Sequence, residues 1–474
     1  MKFVGKIKEK APLLLGSPLF GIALLILAIL VNIFSLEVFG ALFFITVICL
    51  GLTLSEDTSV TLLPFMMVAA FMCTCYDSFD RFIKFVPLAL PAIACIVYHF
   101  VRYKNRFYVG KTFKPLICVA VAVTLGGVGT LPAGDYFRPG ALFYTFGLGF
   151  GMVGMYLLLK SRYTPDISLD ENDRRAKYEK LSETIAYDFY LLGLLVSAMI
   201  LVYYAKNIGA IIENPSLIAE FQPRNNFSTF LMFSLPFPFY FTMNTAEKRS
   251  GGAFIRVSDL HLLAAVLMYG CIVISGSRGG LLFGSLEFAI CFMYCVLVRG
   301  KRRLPLYLGI TAAGVLLITA LASNVMEFLD VRIGNGFING SDTRLNLLLR
   351  SIDDFKRNII FGSGIGNTYN SDLFNHKKGA LDWYHMYIAQ VIGSFGIVGI
   401  LAYGYSIATR FSLFLTKTNV WKMTLGFSYL GVFMMSMVNP GEFSPIPYEI
   451  MTVLLFVYLE NSEEDFSLLF LKEK

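Results

Sequence analysis

Leu19-Phe-Gly-Ile-Ala-Leu-Leu-Ile-Leu-Ala-Ile-Leu-Val-Asn-Ile-Phe-Ser35 contains no charged residue. It is close to the ~20 residues a helix needs to cross a ~30 Å hydrocarbon layer. Lys2, Lys6, Lys8 and Lys10 precede it, as basic residues precede a secretory signal. The apolar stretch is too long for a signal core and no small-x-small cleavage site follows, so it reads as a retained first span. Comparable runs recur at 38–54, 59–75, 85–101, 115–131, 141–159, 182–204, 227–243, 260–276, 281–297, 304–322, 386–405, 423–439 and 447–459. The last is short, and only Ser55-Glu56-Asp57-Thr58 separates the second from the third. The expected fold is therefore an all-α polytopic membrane protein with 12–14 transmembrane helices, fourteen being favoured.

Composition agrees. Hydrophobic residues make up 56% of the 474 residues and charged residues 15%, with a mean hydropathy of +0.64. A soluble domain has about 25% charged residues. The 44 Phe and 25 Tyr outnumber the 33 acids two to one. The net charge of +7 does not point to nucleic acid, because the basic residues form short collars beside apolar runs, where they set membrane orientation. With fourteen spans and a cytoplasmic N-terminus, 27 Lys and Arg fall inside and 13 outside, seven of the latter in the long segment 323–385. Long loops cross largely regardless of charge, so the informative ratio is 27 to 6. Both termini are expected in the cytoplasm.

The eight cysteines do not form a disulfide framework. Cys95, Cys118, Cys271, Cys291 and Cys295 lie within apolar runs, where Cys acts as a small hydrophobe, and Cys73-Thr74-Cys75 lacks metal-site spacing. No metal and no cofactor is expected. Asp170-Glu171-Asn172-Asp173-Arg174-Arg175, in the cytoplasmic loop 160–181, reads as a solvated surface. The chain divides in order into a transmembrane bundle (1–322), an extracytoplasmic loop (323–385) and a C-terminal membrane part with its tail (386–474).

That loop departs from the rest of the chain. Within 342–357, Leu345, Leu348, Leu349, Ile352 and Phe355 recur at the period of one helical stripe, which predicts an amphipathic helix that packs on the membrane's outer surface or over a cavity. Asp342 or Thr343 can cap it. Phe361-Gly362-Ser363-Gly364-Ile365-Gly366-Asn367 follows; its glycines serve either a chain reversal needing positive φ or a phosphate cradle of backbone N–H groups. Asp382-Trp383-Tyr384-His385 then leads into an apolar span, where a histidine can be functional or simply interfacial. Ser275-Gly276-Ser277-Arg278-Gly279-Gly280 forms a whole external connection between two spans. Arg278 can snorkel to headgroups, but it stands where cations are scarce, and its small neighbours let a phosphate approach closely. An arginine at the membrane plane by default marks a site, and guanidinium suits phosphate oxygens.

Arg278, Arg344 and His385 thus lie on one membrane face. Two arginines can hold a diphosphate, and a neutral histidine can take a proton from an attacking hydroxyl. These residues resemble the bacterial O-antigen ligase and O-antigen polymerase superfamily over roughly 270–405: the Ser-Arg-Gly turn at 277–279, the Arg-bearing helix, the glycine turn, and His385 ahead of Gly393-Ser394-Phe395-Gly396-Ile397-Val398-Gly399. The resemblance implies a metal-independent inverting glycosyltransferase at the outer face of the bacterial cytoplasmic membrane. Its donor would be an undecaprenyl-diphosphate-linked glycan, and its acceptor glycan a lipid-linked repeat or a lipid A-core. It gives Arg278 and Arg344 the diphosphate and His385 the base or acceptor-orienting role, with Ser277, Gly279, Arg350 and Tyr384 as secondary candidates. Membrane lipids are the other expected partners. Met386 stands where the family commonly has Asn, and Leu348 where it has an aromatic, which puts the acceptor contacts in question.

A flippase of the same lipid-linked glycan is the alternative, since it would also need arginines for diphosphate. Transporters, though, tend to carry repeated halves and midplane charges. A peptidoglycan glycosyltransferase of the shape, elongation, division and sporulation type would use an external Asp, for which Asp342 or Asp382 qualifies.

Overall fold

The computed structural model of the protein describes residues 13–74, 89–103, 107–129, 139–164, 170–213, 224–244, 257–299, 304–321, 344–366, 383–416, 418–461 and 466–468. Over their described residues, the fourteen apolar segments fall largely on helix. The helices are α1 (Pro18–Ile33), α2 (Glu37–Leu54), α3 (Leu62–Thr74), α4 (Ala89–Tyr103), α5 (Phe113–Gly129), α6 (Pro139–Phe146), α7 (Met152–Tyr163), α8 (Glu171–Glu213), α9 (Arg224–Ser234), α10 (Pro236–Asn244), α11 (Val257–Ile274), α12 (Arg278–Arg299), α13 (Leu304–Leu321), α14 (344–357), α15 (Tyr387–Phe414), α16 (Val420–Ser436) and α17 (Ile446–Asn461). Among the described residues, six continuous helices are long and apolar enough to cross a membrane: Glu37–Leu54, Gly140–Tyr163, Glu171–Ala210, Val257–Ile274, Arg278–Arg299 and Tyr387–Phe414.

Local chemistry sets the boundaries. Ser17 caps α1 by accepting from the Phe20 N–H, with Pro18 at the first helical position. Asp57 accepts from the Ser59 N–H and Ser55 from the Asp57 N–H, making the turn that separates α2 from α3. Asp170 accepts from the Asp173 N–H at 2.8 Å, so the charged stretch 170–175 is the capped start of the 43-residue α8. The expected span 227–243 is broken at Leu235, because Pro236 has no N–H to continue the ladder.

The structure is almost entirely helical, with one short exception among the described residues. β1 (Tyr108–Gly110) and β2 (Phe466–Leu468) pair antiparallel, with Tyr108 opposite Leu468. Three-residue strands are too short for periodicity to register.

Two compact units form. The first joins residues 1–105 with 165–330, the second 106–164 with 331–474. In the first, α8 runs against α1, α3, α9 and α11, burying Phe189, Leu192, Leu195, Val196 and Ile200, with Phe189 stacked on Phe237 at 4.7 Å. In the second, α15 packs along α5 and α17 along α7. Val123, Leu148, Ile365, Tyr387, Phe395 and Phe443 form its core.

Candidate functional site

In the second unit, α14, the loop 358–366, the segment 383–386 and the 437–445 turn come together. The Arg344 guanidinium donates from Nη1 to the carbonyls of Val438 and His385. His385 sits in the left-handed region (φ 51°) immediately before α15, a conformation uncommon for a residue with a side chain. It keeps more than a third of its surface open. Enclosure by the surrounding chain, and then the Arg344 charge, hold its imidazole below its ordinary pKa, while a hydrogen bond with Asn439 works the other way. The ring is therefore neutral at neutral pH and able to accept a proton. Arg344 and His385, far apart in sequence, are neighbours. Asn439 joins them, and nothing in its sequence context had singled it out.

Beneath this pair lies a buried polar layer. Asp354, fully buried, accepts from the Tyr384 hydroxyl at 2.5 Å and pairs with Arg350 at 3.5 Å, one helical turn earlier. The Tyr384 N–H donates to Gln390 Oε1, and Gln390 Nε2 to Ser394 Oγ. Arg350 and Tyr384, expected as secondary substrate contacts, are thus turned inward and fix the backbone on which His385 is mounted. Removing Asp354 would leave Arg350 as a buried charge without its carboxylate, a loss of about 3–5 kcal/mol. We expect Asp354→Ala to lower the melting temperature of the purified protein far more than Asp353→Ala, whose side chain is exposed and only loosely paired with Lys356.

Helix α14 is amphipathic, with its polar side turned into the protein. Leu345 and Leu349 are 55% and 51% exposed, whereas Leu347, Arg350, Ser351 and Asp354 are buried. The polar stripe packs inward because its groups satisfy one another and Tyr384. Leu345 and Leu349 face outward while Leu348, Ile352 and Phe355 are half-buried, and outward leucines are penalised by water but not by hydrocarbon. The expected caps Asp342 and Thr343 lie outside the described residues.

The glycine turn is a structural plug and not a phosphate cradle. Helix α15 breaks at Gly396 (φ 61°, ψ −152°). Around the break, the N–H groups of Ser363 and Gly364 donate to the Gly393 and Ser394 carbonyls at 2.9 and 2.8 Å, while Ile397 and Val398 donate to the Ile359 and Ile360 carbonyls. Two of the amides that would have bound phosphate are spent on the helix. A break in a membrane helix requires this kind of substitution, since no water is available to replace the lost ladder bonds.

In the first unit, the 275–280 turn reads as expected in shape. Gly276 takes positive φ (71°). Ser277, 1% exposed, donates to Asn225 Oδ1 at 2.8 Å and accepts from the Gly280 N–H at 3.0 Å. Its hydroxyl is used as the cap of α12, which explains why serine stands there and accounts for it without a ligand. Arg278 occupies the first position of α12 with its side chain exposed, and Gly279 follows it, half-buried. Ser228 Oγ lies 2.9 Å from Ser275 Oγ, so Asn225 and Ser228 brace the turn from α9.

Two further charged clusters went unread. Arg410 bridges Glu442 at 3.2 Å and Glu449 at 2.7 Å, all buried, with its guanidinium 5.0 Å from the Phe456 ring centroid. Lys160 and Glu460, both 0% exposed, pair at 3.0 Å, and Glu460 also accepts from Thr112 and Tyr156. Arg410 and Lys160 follow the apolar runs 386–405 and 141–159, where each looks like a collar cation. The available signal was Glu449 and Glu460 standing in an apolar stretch, since a carboxylate there needs a partner. Among the described residues, no three His, Cys, Asp or Glu side chains are placed to share a metal ion.

Residues 263–404 match the family described as O-antigen ligase, 142 of the 474 residues. No curated protein matches the chain. The matched stretch contains Arg278, Arg344, the glycine turn and His385, and it supports the superfamily of O-antigen ligases and polymerases and a role in surface polysaccharide assembly.

Proposed function

We propose that this chain is a multi-pass glycosyltransferase of the bacterial cytoplasmic membrane, moving glycan from undecaprenyl diphosphate to an acceptor sugar hydroxyl at the outer face, with both termini in the cytoplasm. The observation that carries the reading is the Arg344 guanidinium bonded to the backbone of His385, whose exposed imidazole has its pKa held below the ordinary value, inside the O-antigen ligase region. His385 takes the proton of the acceptor hydroxyl as its oxygen attacks the anomeric carbon. The bond from that carbon to the diphosphate oxygen breaks, and the configuration inverts. Arg344 stabilises the charge that collects on the departing diphosphate, the stage at which fixed donors contribute most, and the family resemblance gives Arg278 the same anion as ligand. The fork of a guanidinium suits two phosphate oxygens at once. The partial positive charge at the start of α12, where Arg278 stands, adds to its attraction for an anion. No metal is required by this scheme.

An inverted pH logic would exclude it. The base must be unprotonated, and a pKa held below the usual ~6.5 keeps it so into mildly acidic solution. We expect kcat/KM to stay level through neutrality and to fall only below pH ~6.5. An acid limb centred above that value would contradict His385 as the base. Product length identifies the acceptor class: ladders growing by repeat units indicate a polymerase, and a single transfer to lipid A-core indicates a ligase.

A further inference from the structure

In the first unit, a cavity of about 590 Å³ opens where the start of α1, the 55–60 turn and the early part of α8 meet. It is lined by Asp188, Asp57 and Glu183, with Lys180 as its charged counterpart. Asp188 is only 6% exposed, and among the described residues nothing hydrogen-bonds its Oδ2. Asp57 gives one oxygen to the Ser59 N–H. Asp57, Glu183 and Lys180 are exposed, so they form the rim and Asp188 the floor. Leu24 and Leu63, both buried, and the half-buried Phe20 line the same space.

A carboxylate that lines a cavity at this depth is costly unless a cation or proton meets it. The volume is that of an organic ligand's pocket, commonly about 300–1,000 Å³. It is too roomy to wrap a bare divalent ion, which needs about six or more oxygens within ~2.6 Å. Carboxylates at one end, a lysine at the rim and apolar walls fit a ligand with an ammonium, an adjacent phosphate and a hydrocarbon part. We propose that this cavity binds a primary-amine phospholipid, its ammonium donating to Asp188 and Asp57 and its phosphate turned toward Lys180.

The test is lipid retention by the full-length protein. It is equilibrated in nanodiscs holding equal fractions of phosphatidylethanolamine, its mono- and dimethyl derivatives, phosphatidylcholine and phosphatidylglycerol with one acyl composition, and then examined by native mass spectrometry. The wild type is expected to retain the primary amine over phosphatidylcholine by roughly tenfold or more, the scale of one charge-assisted hydrogen bond, with retention falling as methyl groups are added. Asp188→Asn, nearly isosteric, is expected to bring the ratio close to one. A methylation series that stays flat in the wild type overturns the proposal, and that arm needs no variant to fold. So does an Asp188→Asn protein that keeps the preference. Soluble phosphoethanolamine displacing the lipid at equal concentration would also overturn it, by showing that the apolar part contributes nothing.

Discussion

Arg344→Ala is expected to reduce glycan transfer by about 10²–10³-fold, the usual loss when one fixed donor to a developing anion is removed. Arg278→Ala is expected to do the same, and the double variant to leave no measurable turnover. Arg344 also bonds the backbone carbonyls of Val438 and His385, so a purely structural role is the competing explanation. The conservative variant separates the two. A lysine at 344 keeps a positive charge and one donor for a carbonyl, so it would preserve much of a structural tie. It cannot reproduce the flat, two-pronged grip on phosphate oxygens. Arg344→Lys is expected to keep near-wild-type thermal stability and lose most of its kcat. Matching losses of stability and activity, or a lysine variant with close to normal turnover, would place Arg344 in the scaffold instead.

The second large effect is on folding. Gly362 has a φ of 70°, and a Cβ added there would lie 2.3 Å from the Ser394 carbonyl carbon; at Gly396 (φ 61°) it would lie 2.5 Å from the Ile359 carbonyl oxygen. Both contacts are with backbone that is itself hydrogen-bonded across the break in α15, so neither side can yield. The Gly396 conformation belongs to the region that glycine alone normally occupies. We expect Gly362→Ala and Gly396→Ala each to cost more than about 4 kcal/mol and to yield little monodisperse protein. Gly404, in the same helix with nothing within 4 Å of its added Cβ, is the control. Gly404→Ala is expected to be neutral or stabilising by roughly 0.5–1 kcal/mol, since it only removes backbone freedom from a helix. Yield and melting temperature in detergent report all three. Equal tolerance at the three positions would show that the glycine turn does not plug the helix.

Much of the helical layout was legible because hydropathy reports directly on length within a membrane. Caps such as Ser17, Asp170 and Asn419, which accepts from the Lys422 N–H, were legible in principle from residue type alone. Which helices pack together was not. Residues 106–164 join the C-terminal part of the chain in one unit, and nothing in their apolar composition selects α15 and α17 as partners over other equally apolar helices. The same limit left the seat of α14 open: periodicity located a stripe of leucines, but an apolar stripe beside a membrane has two apolar places to go. The buried pairs Arg410–Glu449 and Lys160–Glu460 were hidden for a related reason. A charge near the end of a hydrophobic run looks like a loop charge until its counterion, some forty or three hundred residues away, is known. Of the three residues expected to meet, Arg344 and His385 are neighbours in the second unit and Arg278 belongs to the first, whereas Asn439, which contacts the imidazole, belongs to a turn that no motif marks.

The most direct test of the central claim is a transfer reaction with the purified protein in nanodiscs, undecaprenyl-diphosphate-linked oligosaccharide, a glycan acceptor and a metal chelator. The account predicts a new glycosidic bond of inverted configuration, with one undecaprenyl diphosphate released for every bond formed and no loss of rate from the chelator. Glycan recovered on the opposite leaflet with its bond to the diphosphate intact, and no transferred product, would contradict it.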